Sequence, residues 1–236
     1  MRPSSEDLGL YLVTDAALCG ARGIVRTVEL AVEGGVRIVQ LRQKHADLAE
    51  HVRLLERLAR VIDGRALLVV NDRVDAALAA RERGIRVDGV HLGQGDEDVR
   101  RARAELGPDA IIGLSANTPE HLEAVAALPE GTVDHVGIGA IRATATKADH
   151  PPPLGVAGFA LLAAASPVPS VAIGGITAAD IPDLRRAGAS GCAVVSALCA
   201  ADDPLRVSRA QRGLDRGGAG PVSPGPQGGP APAPAR

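Results

Sequence analysis

Between Leu67 and Asp96 the chain carries two short apolar runs, Leu67–Val70 and Val87–Leu92, and each ends in residues that can do chemistry. Asn71, Asp72 and Arg73 follow the first; His91, Gln94 and Asp96 lie at the end of the second. Asp72 and Asp96 with Asn71 look like oxygen ligands for Mg2+, an ion that takes one or two carboxylates, adds substrate phosphate oxygens and keeps several waters. Taken singly, either aspartate could cap the helix that follows it. Arg42 and Lys44 follow another apolar run, Val36–Leu41, and both reach the same mouth if that strand ends near Leu41. Two cations beside Mg2+ suit a diphosphate, whose charge they would share. Ser115 adds a hydroxyl, and Lys147, in the loop Thr144–Lys147, is a candidate third cation. Gly174-Gly175 ahead of a helix offers backbone N–H groups that a phosphate can approach closely, with Val195-Ser196 as the other half of that site. His91 and Tyr11 stay open between packing and function.

These residues lie far apart in sequence, so the elements between them must gather them. Eight apolar segments read as strands: Leu8–Val13, Val36–Leu41, Leu67–Val70, Gly89–Leu92, Ala110–Leu114, Val133–Ile138, Ser170–Ile173 and Gly191–Val195. Between and after them the spacing predicts helices over Ile24–Glu33, Asp47–Ile62, Asp72–Ala80, Asp96–Leu106, Thr118–Leu128, Val156–Ala165, Ala178–Ala187 and Pro204–Leu214. Strand and helix alternating eight times imply parallel βαβ units closing into an α/β (β/α)8 TIM barrel over residues 1–215. An open doubly wound sheet would want a GxGxxG after the first strand, and none is there. In such barrels active sites lie at the carboxyl ends of the strands, where nearly every residue named above falls.

Composition agrees. The chain has 236 residues with one Tyr, one Phe and no Trp, so its core must be aliphatic and alanine packing. A net charge of −2 and this scarcity of aromatics give no reason to expect nucleic acid or an anionic membrane as partner. Cys19, Cys192 and Cys199 show no metal or disulfide spacing and read as free thiols of a reducing compartment. No run approaches a membrane span and no leader pattern opens the chain, so a cytoplasmic protein is expected. Residues 216–236, rich in Gly, Pro and Ala, are expected to be a disordered tail. A homo-oligomer is neither required nor excluded.

Taken in order, the segments Tyr11–Asp15 (YLVTD), Val39–Lys44 (VQLRQK), Asn71–Leu78 (NDRVDAAL), Asp88–Asp96 (DGVHLGQGD), Ile112–Thr118 (IGLSANT), Asp134–Lys147 (DHVGIGAIRATATK), Ala172–Ile176 (AIGGI) and Ala193–Leu198 (AVVSAL) closely resemble the thiamine-phosphate synthase family. Each segment is weak alone; the ordered set is specific. The resemblance implies a (β/α)8 transferase of thiamine biosynthesis that joins a hydroxymethylpyrimidine diphosphate to a thiazole phosphate and releases pyrophosphate. It implies that Gln40, Leu41, Arg42, Gln43, Lys44, Asn71, Ser115 and Lys147 hold the pyrimidine diphosphate. Asp72 and Asp96 would hold Mg2+. Thr144, Ala145, Thr146, Gly175, Val195 and Ser196 would hold the thiazole phosphate. The family's reaction is understood as dissociative, with Arg42, Lys44, Lys147 and Ser115 as its catalytic groups.

The chain departs from the family in two places. Ala140-Ile141-Arg142-Ala143 lacks the usual aromatic and proline, and Gly95 stands where an acidic residue is common. Arg142 is expected either to point to solvent or to assist diphosphate binding. Two other functions compete: a thiazole tautomerase or regulator-like barrel of the same superfamily, where the diphosphate residues should be eroded, and a non-catalytic phosphate-binding barrel.

Overall fold

Each apolar segment becomes a strand whose side chains alternate between two apolar environments, which a barrel wrapped in helices supplies. A computed structural model of the chain describes residues 3, 5–144 and 152–217. Its strands are β1 (Leu10–Val13), β2 (Ile38–Leu41), β3 (Leu67–Asn71), β4 (Gly89–Leu92), β5 (Ile111–Ser115), β6 (His135–Ile138), β7 (Ser170–Ile173) and β8 (Gly191–Val194). All neighbours pair in parallel and β8 returns to β1, giving the closed eight-stranded barrel expected from the sequence. The helices are α1 (Ser5–Leu8), α2 (Ala16–Cys19), α3 (Gly23–Glu33), α4 (Leu48–Ile62), α5 (Val74–Glu82), α6 (Val99–Leu106), α7 (Pro119–Ala126), α8 (Gly155–Ala165), α9 (Ile181–Arg186), α10 (Ser196–Cys199) and α11 (Pro204–Gly217). Among the described residues no helix is long and apolar enough to cross a membrane.

Strand parity divides the core in two. Tyr11, Val13, Ile38, Val69, Ile111, Val171 and Ala193 fill the barrel interior, joined by Leu8 from α1. The alternate residues, among them Leu12, Val39, Val70, Val90, Ile112, Val136, Ala172 and Val194, meet the helices in a second, larger cluster. Helix α3 turns Ile24, Thr27, Val28, Ala31 and Val32 to that layer, the three-and-four spacing of one helical face. Helix starts follow their caps. Asp47 accepts the Glu50 N–H ahead of α4, and Thr118 accepts that of His121 with Pro119 in the first turn of α7.

Several boundaries differ from expectation by a few residues, and two of them matter for the site. Helix α6 is capped by Asp98, which accepts the N–H groups of Arg100 and Arg101, so it starts beyond Asp96. Helix α5 has Arg73 at its cap position with no side-chain cap bond, and Asp72 before it sits at φ +63 in the left-handed region. With Asp98 in that place, Asp96 is not the cap of α6. At the other end, α11 continues to Gly217, two residues into the expected tail; residues 218–236 lie outside the described residues.

Not every strand-end carboxylate serves the mouth. Asp88 and Asp134, entering β4 and β6 at the opposite face, accept the N–H groups of Leu68 and Ile112 at 2.8 Å each. Asp134 also takes Arg103 at 2.6 Å with its side chain only 3% exposed. These two hold adjacent strands together, as expected of polar residues at the amino-terminal end of a barrel.

Candidate active site

A cavity of about 230 Å³ opens at the carboxyl ends of the strands. Gln40, Arg42 and Lys44 reach it from β2 and its following turn, Asn71 and Asp72 from β3, Asp96 from the loop after β4 and Ser115 from β5. Thr144, Gly175, Val195 and Ser196 line it from the segments after β6, β7 and β8. Strand β2 does end at Leu41, so Arg42 and Lys44 both turn to the mouth. Leu41 itself packs, fully buried, in the helix-facing layer because it alternates with Gln40; neither it nor Gln43 lines the cavity. Ala145, Thr146 and Lys147 lie outside the described residues.

The barrel's circular strand order splits these groups into two facing arcs. The arc of β2 to β5 carries the cations, the two carboxylates, Asn71 and Ser115. The arc of β6 to β8 carries small residues and hydroxyls, with a backbone kept close by glycine. A Cβ on Gly139 would lie 2.0 Å from the Ile173 carbonyl oxygen. Gly174 (φ +95) and Gly175 (φ +66) hold left-handed backbone, and a Cβ on Gly175 would lie 2.9 Å from the Arg142 and Ala143 oxygens.

Local bonds fix the first arc. The Arg42 N–H donates to Thr14 Oγ1 at 3.0 Å, and the guanidinium meets Asp15 Oδ2 at 3.4 Å. Asp96 Oδ2 accepts the Gly93 N–H at 2.7 Å, which ties the carboxylate to the turn at the cavity wall. The Gln94 amide donates to the Ser115 carbonyl at 2.6 Å, anchoring the same turn to β5.

Beneath the mouth the interior is polar, which composition alone did not suggest. His91 lines the cavity and its Nε2 lies 3.2 Å from Ser115 Oγ. Its ring centroid is 5.6 Å from that of His135, which in turn stands edge-on to Tyr11 at 6.1 Å. Tyr11 accepts the Gln40 amide at 2.7 Å, and burial raises its phenol well above the usual range. Gly113 makes room for both imidazoles, since a Cβ there would meet His91 Nδ1 at 2.4 Å and His135 at 2.6 Å. His91 is thus a cavity residue. Alternation was the available signal: Val90 and Leu92 face the helices, so His91 must face inward. Asn117, which accepts the Gly139 N–H at 3.2 Å and joins the two arcs, gave no such signal because it lies beyond β5.

His135 yields a prediction about pH. Its ring nitrogens have no hydrogen-bond partner among the described residues, and burial pushes its pKa down to about 4. The folded protein therefore holds it neutral while the unfolded chain binds a proton below about pH 6.5, so stability falls as pH drops from there toward 4. The full loss expected from this group is about 3 kcal/mol. Chemical unfolding at pH 7.5 and 4.5 should show most of that difference in the wild type and a correspondingly smaller one in His135→Gln; parallel losses in the two proteins would refute it.

The family profile described as thiamine monophosphate synthase matches residues 10–198. A thiamine-phosphate synthase of Psychrobacter sp. is 48% identical over 206 residues, 87% of this chain and 94% of that one. One of Azorhizobium caulinodans is 49% identical over 210 residues, 88% and 94% of the two chains. The solved thiamine phosphate pyrophosphorylase of Pyrococcus furiosus superposes with a TM-score of 0.79 at 30% identity, covering 92% of this chain and 99% of its own. This chain therefore belongs to the thiamine monophosphate synthase family and is an enzyme, a transferase.

Proposed function

We propose that the protein condenses 4-amino-2-methyl-5-(diphosphooxymethyl)pyrimidine with 4-methyl-5-(2-phosphooxyethyl)thiazole, giving thiamine phosphate and pyrophosphate. The observation that carries this reading is the pair of facing arcs on one cavity: cations and carboxylates for a diphosphate, glycine-lined backbone and hydroxyls for a monophosphate. The family's name for the relatives above supports the same product.

Asp72 and Asp96 fit Mg2+. No group of three or more His, Cys, Asp or Glu gathers among the described residues, so a cage built by protein alone is not what these two offer. Two carboxylates on a cavity wall suit an ion that completes its shell with phosphate oxygens and water. Bound there, Mg2+ would neutralise charge on the departing pyrophosphate.

The chain's own residues supply the rest. Tyr11 orients the Gln40 amide, which leaves the Gln40 carbonyl oxygen for the amino group of the pyrimidine. Arg42, Lys44 and, from the family pattern, Lys147 stabilise the negative charge that grows as the carbon–oxygen bond breaks and pyrophosphate leaves with the electron pair. Ser115, positioned by His91, hydrogen-bonds on the same side. The thiazole phosphate, held between Thr144, Gly175 and Ser196, presents its ring nitrogen to the resulting pyrimidinylmethyl cation, and the nitrogen lone pair forms the new bond. No general base is needed, so His91 serves here to position Ser115 and not to take a proton from substrate.

The test is direct. Incubation with both substrates and Mg2+ should give thiamine phosphate and pyrophosphate in equal amounts, and a chelator should abolish both. Absence of product, or product undiminished by chelator, would sink the reading.

A further inference from the structure

Arg142 sits where the family resemblance offers no role for a cation, and its surroundings assign it one. Its guanidinium grips Asp180 with two nitrogens, Nε at 3.0 and 3.1 Å from Oδ1 and Oδ2 and Nη2 at 2.5 Å from Oδ1. The carboxylate is 4% exposed and also accepts the Thr177 N–H and hydroxyl at 2.9 and 2.8 Å, in a capping box that begins the turn after Gly174-Gly175. Arg142 is therefore largely solvent-exposed yet paired, and it is absent from the cavity wall where a diphosphate would lie.

The pair joins the two segments that approach the monophosphate arc. Beyond the ends of β6 and β7 the backbones stay in contact, with the Ile141 N–H on the Ile173 oxygen and the Arg142 N–H on the Gly174 oxygen, both at 3.0 Å. Thr144, two residues after Arg142, and Gly175, five before Asp180, both line the cavity. This stretch lacks the family's usual proline, and the bidentate pair adds a fixed distance between its two sides to what the backbone bonds supply. Because the guanidinium is neutralised by its partner, it contributes position and little net field. Arg142 holds the Asp180 carboxyl down at about 2, so the pair stays ionised through the neutral range.

We propose that Arg142 and Asp180 form a clamp that sets the spacing between the Thr144 loop and the Gly174-Gly175 turn, and thereby the affinity for the thiazole phosphate, without touching it. This rests on the assignment of that arc to the thiazole phosphate. Arg142 is a positioning residue and its side chain is 60% exposed, so Arg142→Gln should fold normally.

The experiment compares wild type, Arg142→Gln and Arg142→Lys by steady-state kinetics, and by calorimetric titration with the thiazole phosphate alone. Arg142→Gln should raise KM and Kd for the thiazole phosphate about tenfold through misplacement of the site, with kcat and the KM of the pyrimidine diphosphate within about twofold. Arg142→Lys should recover part of the loss. In an Asp180→Asn background, checked for folding by thermal melting, Arg142→Gln should add little. Unchanged thiazole phosphate affinity, or a rise in KM for the diphosphate instead, would overturn the clamp. If the wild type binds the thiazole phosphate but forms no product, the synthase reading fails while the Kd comparison still decides the clamp. A wild type that does not bind it overturns the clamp as well.

Discussion

Asp72→Asn is expected to lower kcat by about 10²–10³-fold, or roughly 3–4 kcal/mol of transition-state stabilisation, while leaving the melting temperature nearly unchanged. Asparagine is the informative substitution because Asp72 holds a left-handed backbone at φ +63, which Asn tolerates and Ala resists. The change thus removes charge without adding strain. Asp96→Asn isolates charge in the same way, since an amide oxygen can still accept the Gly93 N–H. Both variants should need more Mg2+ for half-maximal rate, and raising Mg2+ should restore part of the activity. Together they should cost less than the product of the single losses, because the first already weakens the site the second serves. Wild-type turnover by either variant at limiting Mg2+ would remove that residue from the metal site.

The barrel was readable from periodicity because its physical cause is local. Each strand needs only a short β-rich run bounded by turn residues, and each helix only a face such as Ile24, Val28, Ala31 and Val32. Boundaries failed where tertiary demands override propensity. In the loop after β4 the helix and the mouth take different residues: Asp98 caps α6 and leaves Asp96 to the cavity. A sequence shows two aspartates, two residues apart, and not which one the chain spends on capping.

The site was legible where chemistry and position coincide, as for Arg42, Lys44, Asn71, Asp72 and Ser115, each at a strand end. It was illegible where a residue acts through a partner distant in sequence. Arg142 finds Asp180 only because β6 and β7 are adjacent, and the polar stack of Tyr11, Gln40, His91 and His135 exists only because four strands face one interior. Gly113 is the counterpart in small residues: its reason for being glycine is two imidazoles that belong to other strands.

Arg42→Gln is expected to lower kcat by a similar factor, about 10²–10³-fold, with a smaller change in the KM of the pyrimidine diphosphate. The side chain leaves β2 from a backbone pinned to Thr14 and is only 16% exposed, so its charge acts through a medium that screens poorly. Asp15 faces it at 3.4 Å while also accepting the Leu18 N–H as the cap of α2, which keeps the carboxylate in place whether or not substrate is bound. The guanidinium is therefore preorganised, and stabilising a leaving pyrophosphate requires no further ordering of it. Arg42→Lys should recover only part of the rate, because an ammonium keeps the charge and loses the fork that spans two phosphate oxygens. Asp15→Asn should cost less than either, since it loosens the orientation and keeps the cation. Single-turnover measurement with both substrates saturating separates the possibilities. A slow bond-breaking step in Arg42→Gln places the residue on the leaving group, whereas a normal step with a raised KM would mean that it binds substrate and transition state alike.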